Sequence, residues 1–489
     1  MSHKHNKKML NLFCNQNKLT RRNFLKSAAG SAAAMWLGPG LLNAATSRKK
    51  PNVLFLLPDQ WRFSSFSHGE INDKLVQTPN LDKFVQEGAR WRKAYATCPV
   101  CSPERATIMT GRYPHQTGMM ANNKMLPPGD RCLAEIFKEA GYATHYVGKT
   151  HYDGEAKPGF IPKGWRRRGF TTYEGFNSGH NYTTGQVYFD NDGNEVHPTE
   201  YEPKTQTDLA INFMKQNQHR PFFCYLSWGP PHTPYDQIPA QYRHYNVSES
   251  DRRANVPAGN PAAGELNDYF AQCEALDDQF GRLMSALKQL GLDKNTLVIF
   301  TSDHGDMHSS QGLLRKRVAF EESLRVPMFM RWPEKIDPGT IVDTLISGID
   351  IMPTVAGLCG LDIPKTCTGI DKSSAMFGET PPNSDAIYCE EYDLKAVNGD
   401  WSKTWDFRWR CVVTDQYKLV VDDSPVLDIN SVVHLYDLQF DPYELNNLTS
   451  NPAYATTKQN LFDRLVQFRN ETGDTFPKVP PIAETFYEI

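Results

Sequence analysis

The chain has 489 residues, 39% of them hydrophobic, which is enough to bury a large core in one large domain or a few ordinary ones. It contains no internal repeat and no low-complexity tract, which excludes a solenoid and a disordered protein. The net charge is −3, and residues 1–45 hold seven basic residues and no acidic one, so the remainder has 46 basic residues against 56 acidic ones. This balance argues against binding to nucleic acid or to an anionic membrane, but it permits a small anionic substrate in a locally basic pocket.

The first 45 residues have the pattern of a bacterial export signal. Their basic part ends in Thr20–Lys26, which contains Arg-Arg-x-Phe-Leu-Lys, the twin-arginine pattern. An apolar run from Ser27 to Leu42 follows, and it is shorter than the ~20 residues that a membrane span needs. We therefore predict a cleaved signal at residues 1–45, recognition by the twin-arginine export machinery, and a periplasmic or secreted mature protein without a membrane span.

Short apolar runs then alternate with helical patterns. Four runs have the continuous hydrophobicity of buried parallel strands: Val53–Leu57, Thr144–Val147, Phe222–Leu226 and Leu297–Phe300. One helix is predicted to open at Thr78–Pro79, and a second to extend from Glu265 to Leu290 and to end at Gly291. Strands that alternate with helices predict an α/β fold around a mainly parallel sheet.

The pattern changes near residue 386. Four short strands separated by turn residues are predicted at Ala386–Tyr388, Arg410–Val413, Tyr417–Val421 and His434–Leu438, followed by a helix over Thr456–Asn470. This order is typical of a smaller α+β unit with an antiparallel sheet. We predict a catalytic domain at residues 50–380 and a C-terminal subdomain at residues 385–489, with the boundary within Gly378–Ser384.

Chemically active residues follow each of the four apolar runs. They are Asp59 and Gln60 after the first, Lys149 and His151 after the second, His232 after the third, and Asp303 and His304 after the fourth. Each group alone has an ordinary explanation, because Asp is a common turn residue and an isolated His is usually structural. Ligands of open α/β sheets bind at the carboxyl ends of the strands, so the four groups together predict one site. The oxygen atoms of Asp59, Gln60 and Asp303 suit a hard divalent cation.

The segment Cys101-Ser102-Pro103-Glu104-Arg105 predicts the start of a helix. Pro103 suits a first helical position and Gly111 a helix end, which places Cys101 at a helix N-terminus that favours an anion. Cys101 could be an activated thiolate there, a redox partner of Cys98, or half of a zinc site. No second Cys/His pair at zinc spacing accompanies it, and the element pattern differs from that of thioredoxin.

This segment, followed by Thr110-Gly111-Arg112, resembles the signature of the formylglycine-dependent (type I) sulfatases, a branch of the alkaline-phosphatase-like superfamily. The resemblance extends from Asn52 to the C-terminal unit, where Leu435–Leu438 and Asp441–Glu444 are similar to the family's tail. It implies a large mainly parallel sheet sandwiched by helices, with a smaller C-terminal α+β subdomain that contains an antiparallel sheet. It also implies an enzyme that hydrolyses sulfate monoesters.

The resemblance implies a role for each site residue. A maturation enzyme that generates formylglycine (3-oxoalanine) would oxidise Cys101, and Arg105 would hold the resulting hydrate, whose hydroxyl attacks sulfur. Asp59, Gln60, Asp303 and His304, together with residue 101, would bind one divalent cation, which the family suggests is Ca²⁺. Lys149 and His151 would contact sulfate and the nucleophile, and His232 and Lys316 would contact the bridging oxygen. Many members carry Asp in place of Gln60 and Asn in place of His304, and the neutral Gln60 lowers the negative charge around the cation.

The expected substrate is a sulfated carbohydrate. The segment between His151 and Phe213 is rich in aromatic and polar residues, which suit a sugar, and His180 is its best candidate for a substrate contact. The arginines of Trp165–Phe170 fit a substrate wall and a solvated loop equally well. The nearest alternative is a phosphonate or phosphate ester hydrolase of the same superfamily, and a second alternative is an exported binding protein without catalysis.

Overall fold

The computed structural model describes residues 50–68, 71–260, 263–392 and 408–478. The predicted export signal at residues 1–45 and the last eleven residues of the predicted C-terminal subdomain lie outside these ranges. Within them, no helix has both the length and the apolar composition that crossing a membrane requires. From Lys50 onward the chain forms one compact unit.

The predicted strands and helices occur in the predicted order, among further elements that the sequence analysis did not identify. The strands are β1 Asn52–Leu56, β2 Ala89–Trp91, β3 Ala94–Tyr95, β4 Ala143–Lys149, β5 Thr172–Phe176, β6 Tyr188–Phe189, β7 Glu195–Val196, β8 Phe222–Ser227, β9 Thr296–Thr301, β10 Met328–Arg331, β11 Thr340–Val342, β12 Ile346–Ser347, β13 Ala386–Glu391, β14 Trp409–Thr414, β15 Tyr417–Asp422 and β16 Val432–Asp437. The α-helices are α1 Pro79–Gln86, α2 Cys101–Thr110, α3 Pro114–Thr117, α4 Leu133–Glu139, α5 Glu202–Gln216, α6 Ala263–Gln289, α7 Glu321–Leu324, α8 Gly348–Cys359 and α9 Ala455–Thr472.

The main sheet has ten strands in the order β11-β2-β10-β9-β1-β8-β4-β5-β6-β7. The four strands predicted from the sequence are its central neighbours β9, β1, β8 and β4, and all of them pair in parallel. Strand β10 is antiparallel to β9, and β6 is antiparallel to β5. The sheet is therefore mainly parallel, as predicted, and its central strands end at a common edge.

Alternate residues of the central strands pack against helices on opposite faces of the sheet. Val53 and Phe55 join a core that includes residues of α2, α4 and α8, whereas Leu54 and Leu56 join a core that includes residues of α1, α5 and α6. Successive side chains of a strand point to opposite faces, so a strand that is apolar throughout can bury both of them. This three-layer arrangement confirms the predicted helix–sheet–helix sandwich.

The C-terminal strands form a separate antiparallel sheet in the order β13-β14-β15-β16. Helix α9 packs on it, and the shared core also contains Tyr113 and Ile349 from the preceding part of the chain. The predicted antiparallel sheet and its helix are thus present. The domain boundary within residues 378–384 stays a prediction.

Helix α2 begins at Cys101 and ends before Gly111, whose φ of 64° lies in the left-handed region that glycine tolerates. Pro103 is the third residue of the helix rather than the first. Its missing N–H costs nothing there, because the first four N–H groups of a helix have no partner within it. Cys101 lies at the helix N-terminus, as predicted.

Candidate active site

The predicted site residues meet at the carboxyl edge of the central strands. Asp59 and Gln60 follow β1, Lys149 is the last residue of β4 and His151 lies two residues beyond it. His232 lies in the turn after β8, and Asp303 and His304 follow β9. Helix α2 brings Cys101 and Arg105 to the same edge, and a segment after β9 brings Lys316. The structure therefore brings together the whole predicted set for catalysis and cation binding.

Arg105 joins the two acidic strand ends. Its Nε donates to Oδ2 of Asp303 at 3.0 Å, and its Nη2 donates to Oδ2 of Asp59 at 3.1 Å. Nη1 donates to Oγ of Ser227 at 2.6 Å and to the carbonyl oxygen of Lys149 at 3.0 Å. Arg105 is 1% exposed, and a planar guanidinium with this many acceptors is held in one orientation.

Lys149 adds a second positive charge to the same carboxylate. Its Nζ lies 2.5 Å from Oδ2 of Asp59, and both side chains are fully buried. Burial works against ionisation of the Asp59 carboxyl, but Lys149 and Arg105 oppose that effect and hold the pKa of Asp59 well below its usual range. Asp59 is consequently a buried carboxylate, the form that binds a cation.

Cys101 faces the same charged cluster. Its Sγ lies 2.9 Å from Nζ of Lys316, 3.2 Å from Nε2 of His304 and 3.7 Å from Oδ1 of Asp59. Burial disfavours the thiolate, but Lys316 and Lys149 outweigh that effect and hold the pKa of the thiol well below its usual range. The position at residue 101 thus stabilises a negative charge.

A cation fits the side chains around residue 101. Four buried residues offer ligand atoms that all lie within 4.8 Å of one another: Asp59, Cys101, Asp303 and His304. The ammonium of Lys316 lies 2.9 Å from both Oε1 of Gln60 and Nε2 of His304. Two of the predicted ligand atoms therefore already lie next to a positive charge. Carboxylate and amide oxygens are ligands that hard divalent cations prefer. The chemistry of the donor set therefore supports the predicted cation site.

Gln60 is oriented by two residues that the sequence analysis did not identify. Its Nε2 donates to Oδ2 of Asp306 at 2.5 Å and contacts the hydroxyl of Tyr235 at 3.2 Å. The Tyr235 hydroxyl itself donates to Asp306. Because the amide nitrogen is engaged on one side, Oε1 points to the cluster. Asp306 lies three residues after Asp303 at the same strand end, and this position in the sequence could have identified it as a site residue.

The histidines are held by hydrogen bonds on one ring nitrogen. Nδ1 of His304 and Nδ1 of His232 each lie within 3.0 Å of a neighbouring backbone carbonyl oxygen, so each donates there and leaves Nε2 for the site. Nε2 of His151 lies 3.2 Å from Oδ1 of Asn123, and its buried Nδ1 has no hydrogen-bond partner among the described residues. Burial, together with Lys149, lowers the pKa of His151 to about 4. His151 is thus neutral and can accept a proton on Nδ1.

His180 lies beside this cluster. Its ring stacks on His232, with centroids 4.2 Å apart and planes 8° apart, and its Nδ1 lies 3.3 Å from the hydroxyl of Tyr182. This places His180 next to the catalytic residues, and its role as a substrate contact stays a prediction.

The neighbouring arginines make internal contacts. Arg166 binds the carboxylate of Asp153, Arg167 binds Asn191, and Arg168 donates to backbone carbonyl oxygens. Arg167 and Arg168 are each 3% exposed, so internal contacts hold this segment and it is not a solvated loop.

Cys98 differs from Cys101 in its surroundings. Its Sγ lies 3.5 Å from Oε2 of Glu391, and burial, together with Glu391, raises the pKa of its thiol well above the usual value. Both cysteines are free. A thiol of this kind is unreactive, which argues against a redox pair.

Comparisons with known proteins agree with this geometry. A family model described as Sulfatase matches residues 51–361, and one described as N-sulphoglucosamine sulphohydrolase, C-terminal, matches residues 309–471. An "Ulvan-active sulfatase" of Formosa agariphila is 33% identical over 87% of this chain and 82% of its own length. An "Endo-4-O-sulfatase" of Bacteroides thetaiotaomicron is 31% identical over 83% of this chain and 89% of its own.

A solved structure from Bacteroides thetaiotaomicron, described under the metabolism of multiple glycosaminoglycans as a 4S-sulf protein, superposes with a TM-score of 0.76. It is 29% identical and covers 87% of this chain and 97% of its own. The alkaline-phosphatase-like fold expected from the sequence is therefore confirmed. The chain belongs to the sulfatase family and is a sulfuric ester hydrolase.

Proposed function

We propose that this enzyme hydrolyses sulfate monoesters of a sulfated carbohydrate, with formylglycine made from Cys101 as its nucleophile. We further propose that the cation at the site is Ca²⁺, held by the strand-end residues Asp59, Gln60, Asp303 and His304. The observation that carries the proposal is the position of Cys101, which begins a helix and lies within 3.2 Å of both Lys316 and His304. Helix N-termini and nearby cations both stabilise an anionic group.

The modification and the cation would each supply one kind of chemistry. Hydrated formylglycine at residue 101 would supply two hydroxyl groups on one carbon, one to attack sulfur and one to release sulfate afterwards, whereas an unmodified thiol offers only a single nucleophilic group. A divalent cation would neutralise negative charge on the sulfate oxygens.

Side chains of the site neutralise charge and transfer protons in the proposed reaction. Arg105, Lys149 and Lys316 offset the charge of an anionic ester that meets an anionic nucleophile. The free Nδ1 of His151 can take the proton of the second hydroxyl. His232, whose Nε2 is left for the site, or Lys316 can protonate the leaving alcohol.

Two observations support a carbohydrate as the alcohol part of the ester. The two sequence relatives above are named for ulvan and for an endo 4-O-sulfatase activity. A cavity of about 230 Å³ adjoins His180 and has Phe176 in its wall. A cavity with one aromatic wall and several polar groups suits a sugar ring.

The burial of Cys101 constrains when the modification takes place. Its side chain is 1% exposed and lies beneath the charged cluster, so a separate maturation enzyme reaches it only before folding is complete. We propose that conversion precedes export by the twin-arginine machinery, after which the mature enzyme works in the periplasm or outside the cell.

The Cys101→Ala variant tests the nucleophile. We expect turnover of an aryl sulfate to fall by at least about 1,000-fold, because the attacking group is lost, while the unfolding temperature changes little. Cys98→Ala is the matched control, since it removes a buried thiol three residues earlier that points away from the site. The mass of the peptide that contains residue 101 should correspond to formylglycine in active enzyme. An unmodified cysteine in fully active protein would overturn the proposal.

The nature of the ester is tested by comparing substrates of the same wild-type enzyme. We expect aryl sulfate to be hydrolysed with a higher kcat/KM than aryl phosphate or an aryl phosphonate. Greater efficiency on the phosphorus esters would favour the phosphonate or phosphate ester hydrolase instead. Release of sulfate from ulvan oligosaccharides or sulfated glycosaminoglycan disaccharides tests the carbohydrate assignment separately.

A further inference from the structure

The cavity beside His180 contains a buried acid to which the mechanism above gives no role. Glu202, the first residue of α5, lines this cavity together with Phe176, Ser178 and His180. The side chain of Glu202 is 5% exposed, and its Oε2 has no hydrogen-bond partner among the described residues. A buried carboxyl oxygen without a partner is costly, so it calls for an explanation in terms of a ligand.

The cavity lies beside the catalytic cluster. His180 forms part of its lining and stacks on His232 with the ring centroids 4.2 Å apart. The charge of Lys149 acts on Glu202, and the same lysine binds Asp59. The cavity and the catalytic cluster therefore share His180 and Lys149 as neighbours.

The backbone is shaped to admit this carboxyl group. A Cβ atom at Gly229 would lie 3.1 Å from Oε2 of Glu202 and 2.6 Å from Cε1 of Tyr182. Only a residue without a side chain leaves room for both groups at their present positions. The strand end after β8 thus places His232 for catalysis and, three residues earlier, makes space for Glu202.

A second polar atom in the same cavity also lacks a partner. Ser178 is 1% exposed, and its Oγ is buried without a hydrogen bond among the described residues. The cavity therefore offers two buried polar groups, one aromatic wall at Phe176 and a histidine. A sugar ring in this cavity pairs with these two groups when their side chains turn towards it, and a hydroxyl suits both because it donates and accepts.

We propose that Glu202 and Ser178 bind hydroxyl groups of the sugar part of the substrate and thereby determine which carbohydrate sulfate is hydrolysed. This inference rests on the proposed carbohydrate substrate and adds the residues that select it.

The protonation state of Glu202 supports this role. Burial raises the pKa of Glu202 to about 8, and Lys149 opposes the effect only in part. Tyr182, Tyr201 and His180 also lie around it, and each is uncharged because burial shifts its pKa towards the neutral form. A neutral acid donates a hydrogen bond and does not repel an anionic ester, whereas a carboxylate would.

The test compares Glu202→Gln, Glu202→Ala and Ser178→Ala on two substrates. The first is whichever ulvan oligosaccharide or sulfated glycosaminoglycan disaccharide the wild type hydrolyses fastest, and the second is para-nitrophenyl sulfate, which has no sugar. We expect Glu202→Ala and Ser178→Ala to lower the ratio of the two kcat/KM values, carbohydrate over aryl sulfate, by about 10-fold or more. Glu202→Gln should restore most of the ratio, because an amide is neutral and donates a hydrogen bond.

Glu200→Ala is the matched control, since this exposed glutamate pairs with Lys204 outside the cavity. The unfolding temperature of each variant shows whether a lowered ratio of the kcat/KM values reflects destabilisation of the protein. An unchanged ratio in Glu202→Ala would overturn the inference. An equal loss of kcat/KM on both substrates would also overturn it, because Glu202 would then affect the reaction itself through Lys149 rather than the binding of the sugar. A wild type that hydrolyses para-nitrophenyl sulfate but no carbohydrate sulfate would instead overturn the proposed substrate itself.

Discussion

At the scale of single residues, the site depends on side chains that are held in one orientation. Gln60 illustrates this, because a neutral amide binds a cation only through its oxygen. The contact of Nε2 with Asp306, at 2.5 Å, keeps the nitrogen away from the cluster and Oε1 towards it. Its backbone φ of 71° is unusual for a residue other than glycine, so the surrounding structure holds the main chain as well.

Asp306→Ala should weaken cation binding without removing a ligand. With the anchor for Nε2 gone, the Gln60 amide can rotate and present nitrogen to the cation, and loss of an orienting contact typically costs about 10- to 100-fold in metal affinity. Titration of the protein with Ca²⁺, followed by calorimetry, measures this directly and independently of turnover. Asp337→Ala is the control, because it removes an exposed carboxylate. Unchanged Ca²⁺ affinity in Asp306→Ala would contradict the orienting role.

At the scale of elements, the loop before Cys101 is fixed by the contact between α2 and α8. Oε2 of Glu104 accepts hydrogen bonds from the backbone N–H groups of Thr97, at 2.9 Å, and Cys98, at 3.0 Å. Gly348, the first residue of α8, lies so close that a Cβ atom there would come within 1.7 Å of Oε1 of Glu104. The start of helix α2 is therefore set by a glycine far away in sequence.

Gly348→Ala should displace Glu104 and with it the segment that leads into Cys101. We expect a loss of about 1–3 kcal/mol in the free energy of unfolding, as is usual when a buried site is overfilled, together with reduced turnover. Denaturant unfolding measures the first effect. Gly179→Ala is the control for stability, because its Cβ would lie at an ordinary 3.4 Å from the ring of Phe176. Equal stability of the two variants would show that α8 does not fix this loop.

The elements also show what the sequence could predict. The strands β1, β4, β8 and β9 were predicted almost to the residue, because a strand buried on both faces is apolar throughout. The two- and three-residue strands were not predicted, since they are defined by their partners rather than by a pattern of their own; they are β2, β3, β6, β7, β11 and β12. Helix α5, which carries Glu202, was also missed.

The residues of the site could likewise be predicted only where a sequence pattern of their own marks them. Residues that follow a predicted strand could be assigned to one edge, because the topology of an α/β sheet determines where its strands end. Three other residues could not be assigned to the site from the sequence: Tyr235, Asn123 and Glu202. Each is distinguished only by a contact, or by a missing contact, in the folded structure. Asn123 meets His151 across 28 positions of the chain, and Tyr235 meets Asp306 across 71.

At the scale of the whole molecule, buried ion pairs join the C-terminal sheet to the catalytic part of the chain. Nδ1 of His115, in α3, lies 2.7 Å from Oε2 of Glu390, in β13, and both side chains are buried. Arg410, in β14, binds Asp474 beyond α9, and its Nε lies 4.0 Å from Glu390. Since the hydrophobic core around Tyr113 also spans this junction, we expect the two parts to unfold together.

These pairs make the stability of the molecule depend on pH in opposite directions. Burial works against the charged form of His115, but Glu390 outweighs it and raises the pKa of the imidazole. The stabilisation by His115 is therefore complete below its unfolded pKa of about 6.5 and is lost as the pH rises through the raised pKa. Burial likewise opposes ionisation of Asp474, but Arg410 holds its pKa well below the usual range. Its contribution is present above about pH 4 and is lost only in acid.

His115→Gln should therefore lower the free energy of unfolding by about 3 kcal/mol at pH 6, because it leaves Glu390 with one charged partner fewer in a buried site, and by clearly less at pH 9. Asp474→Asn should be destabilised to a similar degree at both pH values, since its carboxylate is ionised at each. Denaturant unfolding at pH 6 and pH 9, followed by tryptophan fluorescence and by far-ultraviolet circular dichroism, measures both effects. A pH-independent loss in His115→Gln would show that the imidazole stabilises the junction as a neutral hydrogen-bonding group. Two separate transitions in the wild type would show instead that the ion pairs do not couple the C-terminal sheet to the catalytic part.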